Sequence, residues 1–133
     1  MIVVDTNVIA YLHISGEHSE KAQQLLHQTT DWHTPLLWKS EFRNILAQYI
    51  RRSLLSLSDA LSILEAAEQL VKGREYAVSS PLVMELVEQS QCSAYDCEFV
   101  ALARRLNVPL VTSDKQILRN FPDTTISLAT FVA

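Results

Sequence analysis

The stretch that decides the fold is Met1-Ile2-Val3-Val4-Asp5-Thr6-Asn7-Val8. Its apolar run leads directly into an acid, a hydroxyl and an amide. A short run of this kind, ended by polar residues, is typical of a buried strand. In an open α/β sheet, ligands bind just beyond the carboxyl ends of the strands. We therefore expect Asp5 to lie at such an edge, where other acids can meet it.

The length and composition indicate one ordinary globular unit. The chain has 133 residues, enough for a substantial core, so we expect a single domain over residues 1–133. Hydrophobic residues make up 48% and charged residues 20%, which is typical of soluble proteins. No apolar stretch approaches the ~20 residues of a membrane span, and Asp5 interrupts the one candidate signal sequence. We expect a cytoplasmic protein with no membrane partner.

The charge balance depends on where the acids lie. With 11 basic and 15 acidic residues the net charge is −4, which by itself argues mildly against a nucleic-acid partner. If four carboxylates share one site, the remainder is 15 − 4 = 11 acids against 11 bases. The acidity is then local to a pocket.

The four histidines show no zinc-ligand spacing, and Cys92 and Cys97 are best interpreted as free buried thiols.

Strands and helices alternate along the chain. Strands are predicted at 2–4, 32–35, 75–78 (weakly), 110–112 and 125–128. Helices are predicted at 7–12, 19–28, 36–52, 57–72, 80–91, 93–106 and 115–119. Such alternation implies parallel strands joined by right-handed crossovers, with helices on both faces. The predicted fold is a three-layer α/β/α sandwich around a parallel sheet of about five strands.

Two acids follow predicted strands directly. Asp5 comes after the first strand and Asp114 after the strand at 110–112. In a parallel sheet both lie on the same edge. An acid at this position also serves as a plain helix N-cap, and for either residue alone that alternative stays open.

Two further acids lie on predicted helices. Asp96 shares a side of its helix with apolar residues and points away from Glu98 and Arg105, which mark a polar face. A carboxylate on the apolar side is costly unless it is paired or binds a metal. A capping box with Ser93 is the alternative role. Glu41 lies in line with apolar positions of its own helix, and its alternative is a solvated ion pair.

The four acids together predict a metal site. Like charges raise one another's pKa, so a carboxylate cluster stays ionised only beside cations. Oxygen ligands without His or Cys suit Mg²⁺ or Mn²⁺. Such sites typically activate a water molecule and stabilise the departing oxygen of a phosphodiester.

Four segments carry a resemblance to a known family. They are Val-Val-Asp5-Thr6-Asn7-Val-Ile, Leu-Trp-Lys-Ser-Glu41-Phe-Arg-Asn44-Ile-Leu, Tyr95-Asp96-Cys-Glu-Phe-Val-Ala-Leu-Ala103 and Leu-Val-Thr112-Ser-Asp114-Lys. In this order they resemble the successive motifs of PIN domains, most closely those of the toxins of VapBC toxin–antitoxin systems. The resemblance spans essentially the whole chain, although residues 72–78 match no motif.

The resemblance implies a metal-dependent ribonuclease. The acids that match the family's ligands for one or two Mg²⁺ or Mn²⁺ ions are Asp5, Glu41, Asp96 and Asp114. Asn7 and Thr112 match polar positions that orient carboxylates and water. The implied partners are an RNA substrate and a cognate antitoxin. We also expect a homodimer, because the helices at 36–52 and 57–72 offer apolar surface, although core packing competes for the same residues.

Other functional classes share parts of this sequence pattern or of the predicted fold. A haloacid-dehalogenase-type phosphatase needs a second Asp two positions after the first, where this chain has Asn7, so that class is disfavoured. A solitary PIN-fold nuclease, or a non-catalytic module that binds RNA or protein, shares the fold. Five basic residues are candidates for contacting the RNA backbone, although each is equally well interpreted as solvated helix surface. They are Lys39, Arg43, Arg51, Arg52 and Lys115.

Overall fold

The computed structural model describes residues 1–133 and contains a five-stranded parallel sheet. The strands are β1 (Ile2–Val4), β2 (Trp32–Pro35), β3 (Glu75–Tyr76), β4 (Leu110–Thr112) and β5 (Thr125–Ser127). They lie in the order β3-β2-β1-β4-β5, with all neighbouring pairs parallel. The strand order reverses between β1 and β4, which is where an open α/β sheet forms its ligand crevice.

Eight helices connect and cover the strands. They are α1 (Thr6–His13), α2 (Ser19–Gln28), α3 (Trp38–Arg51), α4 (Leu57–Leu70), α5 (Ser80–Glu88), α6 (Ala94–Leu106), α7 (Lys115–Asn120) and α8 (Leu128–Val132). Right-handed crossovers place α1 to α4 on one face of the sheet and α5 to α7 on the other. Helix α6 packs on β1 and β2, while α8 joins α2 beside β4 and β5. The predicted α/β/α sandwich is confirmed.

The core is built around the central strand. All three residues of β1 are buried, and Val3 and Val4 have no exposed surface. A strand buried on both faces needs a continuous apolar run, and Ile2-Val3-Val4 supplies it. The run ends at Asp5 because the chain leaves the sheet there and starts α1. This strand therefore carries its first polar side chain to the carboxyl edge of the sheet.

The prediction is wrong at two ends of the sheet. Strand β3 has only two residues instead of the four predicted at 75–78. The final strand stops at Ser127 instead of Leu128, because the Ser127 side chain accepts a hydrogen bond from the Thr130 amide and caps α8. Helix α8 was not predicted at all. Its five residues are too few to show a helical period.

No helix in the structure combines the length and the apolar character that crossing a lipid bilayer requires.

Candidate active site

The four predicted acids line one cleft at the carboxyl edge of the sheet. The cleft has a volume of about 220 Å³. Each acid comes from a different segment: one after β1, one from α3, one from the first turn of α6 and one after β4. No Lys, Arg or His contributes to the lining, which consists of Asp5, Thr6, Asn7, Glu41, Asn44, Ile45, Asp96 and Asp114. The structure therefore gathers four acids without a compensating cationic side chain.

Asp5 occupies the N-cap position of α1 but does not cap the helix. Its side chain makes no capping hydrogen bond. Instead, its Oδ2 accepts a hydrogen bond of 2.7 Å from the Thr112 hydroxyl, which is fully buried at the end of β4. Asp5 itself is 7% exposed. The plain-cap alternative is therefore excluded for Asp5, whose carboxylate is tied across the sheet.

Asp114 is a true helix cap as well as a residue of the cleft. Its Oδ1 accepts hydrogen bonds from the amides of Gln116 (2.9 Å) and Ile117 (3.1 Å) at the start of α7. Its own amide donates to the Thr112 hydroxyl oxygen at 3.0 Å. Oδ2 has no donor from the protein. The capping alternative is thus correct for Asp114, and it leaves one carboxylate oxygen for another ligand.

Glu41 is half-buried and points into the cleft. The Thr6 hydroxyl donates to Glu41 Oε1 at 2.7 Å, and Oε2 has no donor from the protein. No salt bridge involves Glu41, so the solvated ion-pair alternative fails. Lys39, a candidate RNA contact two residues earlier, forms a salt bridge of 3.2 Å with Glu68 of α4.

Asp96 is half-buried and reaches the cleft from α6. The predicted capping box is present on its serine side, since the Ser93 hydroxyl accepts from the Asp96 amide at 3.1 Å. On the expected polar face of α6, Arg105 is exposed and Glu98 is half-buried. The segment after β3 and helix α5 cover part of that side of the helix beside Glu98.

Burial and mutual repulsion raise the pKa values of these acids. Burial, partly opposed by the Thr112 hydrogen bond and reinforced by the charges of Glu41 and Asp96, raises the pKa of Asp5 to about 6. Burial, followed by the charge of Asp114, raises the pKa of Asp96. Burial also raises the pKa of Glu41, again with help from neighbouring acids. The cleft therefore favours either a proton or a cation beside these carboxylates.

The donor set fits a hard divalent cation by charge and by ligand type. Carboxylate, amide and hydroxyl oxygens line the cleft, and no sulfur or imidazole does. No three His, Cys, Asp or Glu side chains, however, are gathered closely enough to enclose an ion. The carboxylates therefore do not form an all-protein cage. Mg²⁺ does not require one, because it commonly takes one or two carboxylates and keeps several waters.

Some residues of the site were not predicted. Asn44 lines the cleft one helical turn after Glu41, and that spacing was the available signal. Tyr11 lies close enough to Asp5 and Asp114 for their charges, after burial, to raise its pKa. Of the supporting residues that were predicted, Asn7 lines the cleft, and Thr112 lies behind it. Cys92 and Cys97 are free and buried, as expected.

Comparisons with known proteins agree with this geometry. The PIN domain family matches residues 2–122. Ribonuclease VapC3 from Pyrobaculum aerophilum is 32% identical over 124 residues, which cover 91% of this chain and 95% of the relative. The family match spans the positions of all four acids of the cleft.

Solved structures share the fold at low sequence identity. The crystal structure of PAE2754 from Pyrobaculum aerophilum has a TM-score of 0.78 at 17% identity and covers 98% of this chain and 92% of its own. A toxin–antitoxin complex from Klebsiella pneumoniae has a TM-score of 0.69 at 14% identity, and the match covers 96% of this chain and 98% of the other. With the family match over most of the sequence, these comparisons show that the chain belongs to the PIN domain family and is similar to its VapC members.

Proposed function

We propose that the protein is a divalent-cation-dependent ribonuclease that hydrolyses RNA phosphodiester bonds. The observation that carries this proposal is the cleft of four acids with no cationic side chain in its lining. The PIN family match and the similarity to a ribonuclease support it. The residues proposed to bind Mg²⁺ or Mn²⁺ and to carry the reaction are Asp5, Glu41, Asp96 and Asp114.

The chemistry supplied by a bound Mg²⁺ or Mn²⁺ is activation of water and neutralisation of charge on the scissile phosphate. The protein's own contribution is to hold the carboxylates in place. Thr112 is a positioning residue, because its hydroxyl donates to Asp5 and accepts from the amide of Asp114. Asn7 supplies a further polar group to the lining.

Glu41 is suited to handle the proton of the attacking water. Thr6 fixes one of its oxygens, while Oε2 is free to accept a hydrogen bond from water in the cleft. The raised pKa of Glu41, caused first by burial, brings it closer to neutral pH, where a general base is most effective. In this scheme Glu41 Oε2 takes the proton as the water oxygen attacks phosphorus, and the leaving ribose oxygen takes a proton from solvent as its bond to phosphorus breaks.

The proposal is tested by adding Mn²⁺ to the metal-free protein and to Asp96→Asn. We expect Mn²⁺ at 100 times its Kd to stabilise the wild type by about 2.7 kcal/mol, seen as a higher Tm. RNA cleavage should require Mn²⁺ and stop when EDTA is added. Asp96→Asn should show a smaller Tm shift and little cleavage, while Asp123→Asn, which changes an acid that is 80% exposed, should behave as wild type.

Cleavage that persists in EDTA, or a Tm that does not respond to Mn²⁺, would contradict metal dependence. Cleavage by Asp96→Asn at the wild-type rate would show that this acid is not part of the reaction.

We propose that the chain acts as the toxin of a toxin–antitoxin pair. The fold is shared with a toxin–antitoxin complex. Near the start of α4, Leu54 is 63% exposed, Leu57 65% and Leu61 56%. Exposed apolar side chains of this kind suit contact with a protein partner.

The test is to mix the protein with the product of a small open reading frame beside its gene. A stoichiometric complex that no longer cleaves RNA is expected, and light scattering of the protein alone tests the expected homodimer. A product that leaves cleavage unchanged would contradict the pairing.

A further inference from the structure

A second cavity opens on the same edge of the sheet as the carboxylate cleft. Its volume is about 260 Å³. It lies at the ends of β2 and β3, and the residues that shape it are Leu36, Tyr76, Val78, Val83, Met84 and Glu98. This volume lies just below the ~300 Å³ at which pockets for drug-sized ligands begin, so the cavity suits a single planar ring system.

Glu98 is the one charged residue that lines this cavity. Its side chain is half-buried and makes no hydrogen bond or salt bridge within the protein. A half-buried carboxylate without a donor from the protein keeps both oxygens free to accept hydrogen bonds from water or from a ligand. Glu98 therefore gives the cavity an acceptor for the N–H donors of a ligand that also has an apolar surface.

Tyr76 lines the cavity, and hydrogen bonding holds its side chain in place. Its hydroxyl oxygen lies 2.7 Å from Nδ1 of the buried His33, and His33 Nε2 lies 2.7 Å from Asp31. The next residue, Ala77, is also held, because its carbonyl accepts a hydrogen bond from Arg105 of α6 at 3.1 Å. An aromatic ring that cannot swing away is the usual stacking surface for an unpaired base.

The cavity and the carboxylate cleft share helix α6 and adjoin near the start of α3. Helix α6 places Asp96 in the cleft and, two residues later, Glu98 in the cavity. Leu36 of the cavity lies just before α3, which carries Glu41 of the cleft. The charge of Glu98 also contributes, after burial and the charge of Asp96, to the raised pKa of Glu41, as expected for sites that adjoin. A strand of RNA with a phosphate in the cleft can therefore present a neighbouring base to the cavity.

We propose that this cavity binds a guanine base of single-stranded RNA, with Glu98 accepting hydrogen bonds from guanine N1–H and N2–H. This inference rests on the proposed ribonuclease function and names the substrate feature that the site selects. A carboxylate only accepts hydrogen bonds, and its two oxygens match two adjacent donors. The Watson–Crick edge of guanine offers such a pair, whereas adenine, cytosine and uracil place an acceptor beside each donor.

The test is an NMR titration of the metal-free protein with uncharged nucleosides, in EDTA and without RNA. Guanosine and inosine form the matched pair of probes, because inosine lacks the N2 amino group. We expect guanosine to bind at least about 5-fold more tightly than inosine or adenosine, since one good bidentate contact discriminates bases by ~1–3 kcal/mol. The Met84 methyl signal should shift during the titration.

Glu98→Met removes the acceptor but keeps the length of the side chain, and it should bind guanosine and inosine equally. Glu88→Met, which changes an exposed acid on α5, should keep the preference for guanosine. If Glu98→Met does not fold, Glu98→Ala replaces it. Equal binding of guanosine and inosine by the wild type, or a preference that survives in the folded Glu98 variant, would overturn the proposal.

A protein occupant is the competing outcome. If Met84→Asp turns a dimer into a monomer in light scattering and guanosine does not shift the wild-type signals, the cavity is an interface between copies and the proposal is wrong. Because the titration contains neither metal nor RNA, its failure leaves the ribonuclease proposal standing. Absence of metal-dependent cleavage would likewise leave a measured guanosine preference intact.

Discussion

Asp5→Asn is expected to lower kcat/KM for RNA cleavage by about 10²- to 10³-fold, the range typical for removing one preorganised electrostatic group. Asp5 is the most buried of the four acids and the only one tied across the sheet by a side-chain hydrogen bond. Asparagine keeps the shape of the side chain, and its amide oxygen can still accept from Thr112. The fold therefore survives while the charge is lost. The measurement is steady-state cleavage of an RNA oligonucleotide in saturating Mn²⁺.

The matched control is Asp59→Asn, which changes an exposed acid in the first turn of α4. It should cleave RNA at the wild-type rate. If Asp5→Asn stays within a few-fold of wild type, Asp5 is a structural residue and the assignment of the cleft is wrong.

The same substitution is expected to stabilise the metal-free protein at pH 7. Burial, as the main cause, raises the pKa of Asp5 from 3.8 to about 6, so the folded state favours the neutral acid. The resulting stability is fully present below pH 3.8 and is lost as the pH rises through about 6. A shift of this size corresponds to about 3 kcal/mol at most. Asp5→Asn has no such loss and should exceed the wild type by up to that amount.

Urea unfolding of both proteins in EDTA, from pH 4 to pH 7.5, measures this difference. The difference in unfolding free energy between the two proteins should be small at pH 4 and should grow toward pH 7. Comparing the two proteins cancels groups with the opposite dependence, such as Asp31, whose pKa is lowered chiefly by its hydrogen bond with His33. Parallel curves over the whole range would contradict a raised pKa at Asp5.

The parts of the fold that sequence predicted well have sharp chemical boundaries. Strands β1, β2 and β4 match their predicted limits, because the apolar runs of β1 and β4 stop at polar residues and β2 ends at Pro35. Strand β3 and helix α8 were harder to predict, since short elements at the edges of a sheet depend on their neighbours more than on their own pattern. Predicting the helix that begins after Ser127 requires recognising Ser127 as its N-cap.

The candidate site was predictable in outline but not in its connections. The position of Asp5 and Asp114 after strands was enough to place both acids on one edge. Sequence could not show that Thr6 fixes Glu41, or that Thr112 donates to Asp5, because these contacts depend on the tertiary arrangement. The half-buried position of Glu98 could not be predicted for the same reason. Helical periodicity gives the direction of a side chain, but what packs over it comes from a distant part of the chain.

The shared hydroxyl of Thr112 determines where a proton can reside on Asp5. A backbone amide can only donate, so the Asp114 N–H occupies a lone pair of the Thr112 oxygen and the hydroxyl hydrogen is directed to Asp5 Oδ2. With that hydrogen bond in place, Oδ1 is the oxygen of Asp5 that takes up a proton more readily. If Asp5 binds the proposed cation, a proton and the cation compete for the same carboxylate, so acidification is expected to weaken the binding of the cation.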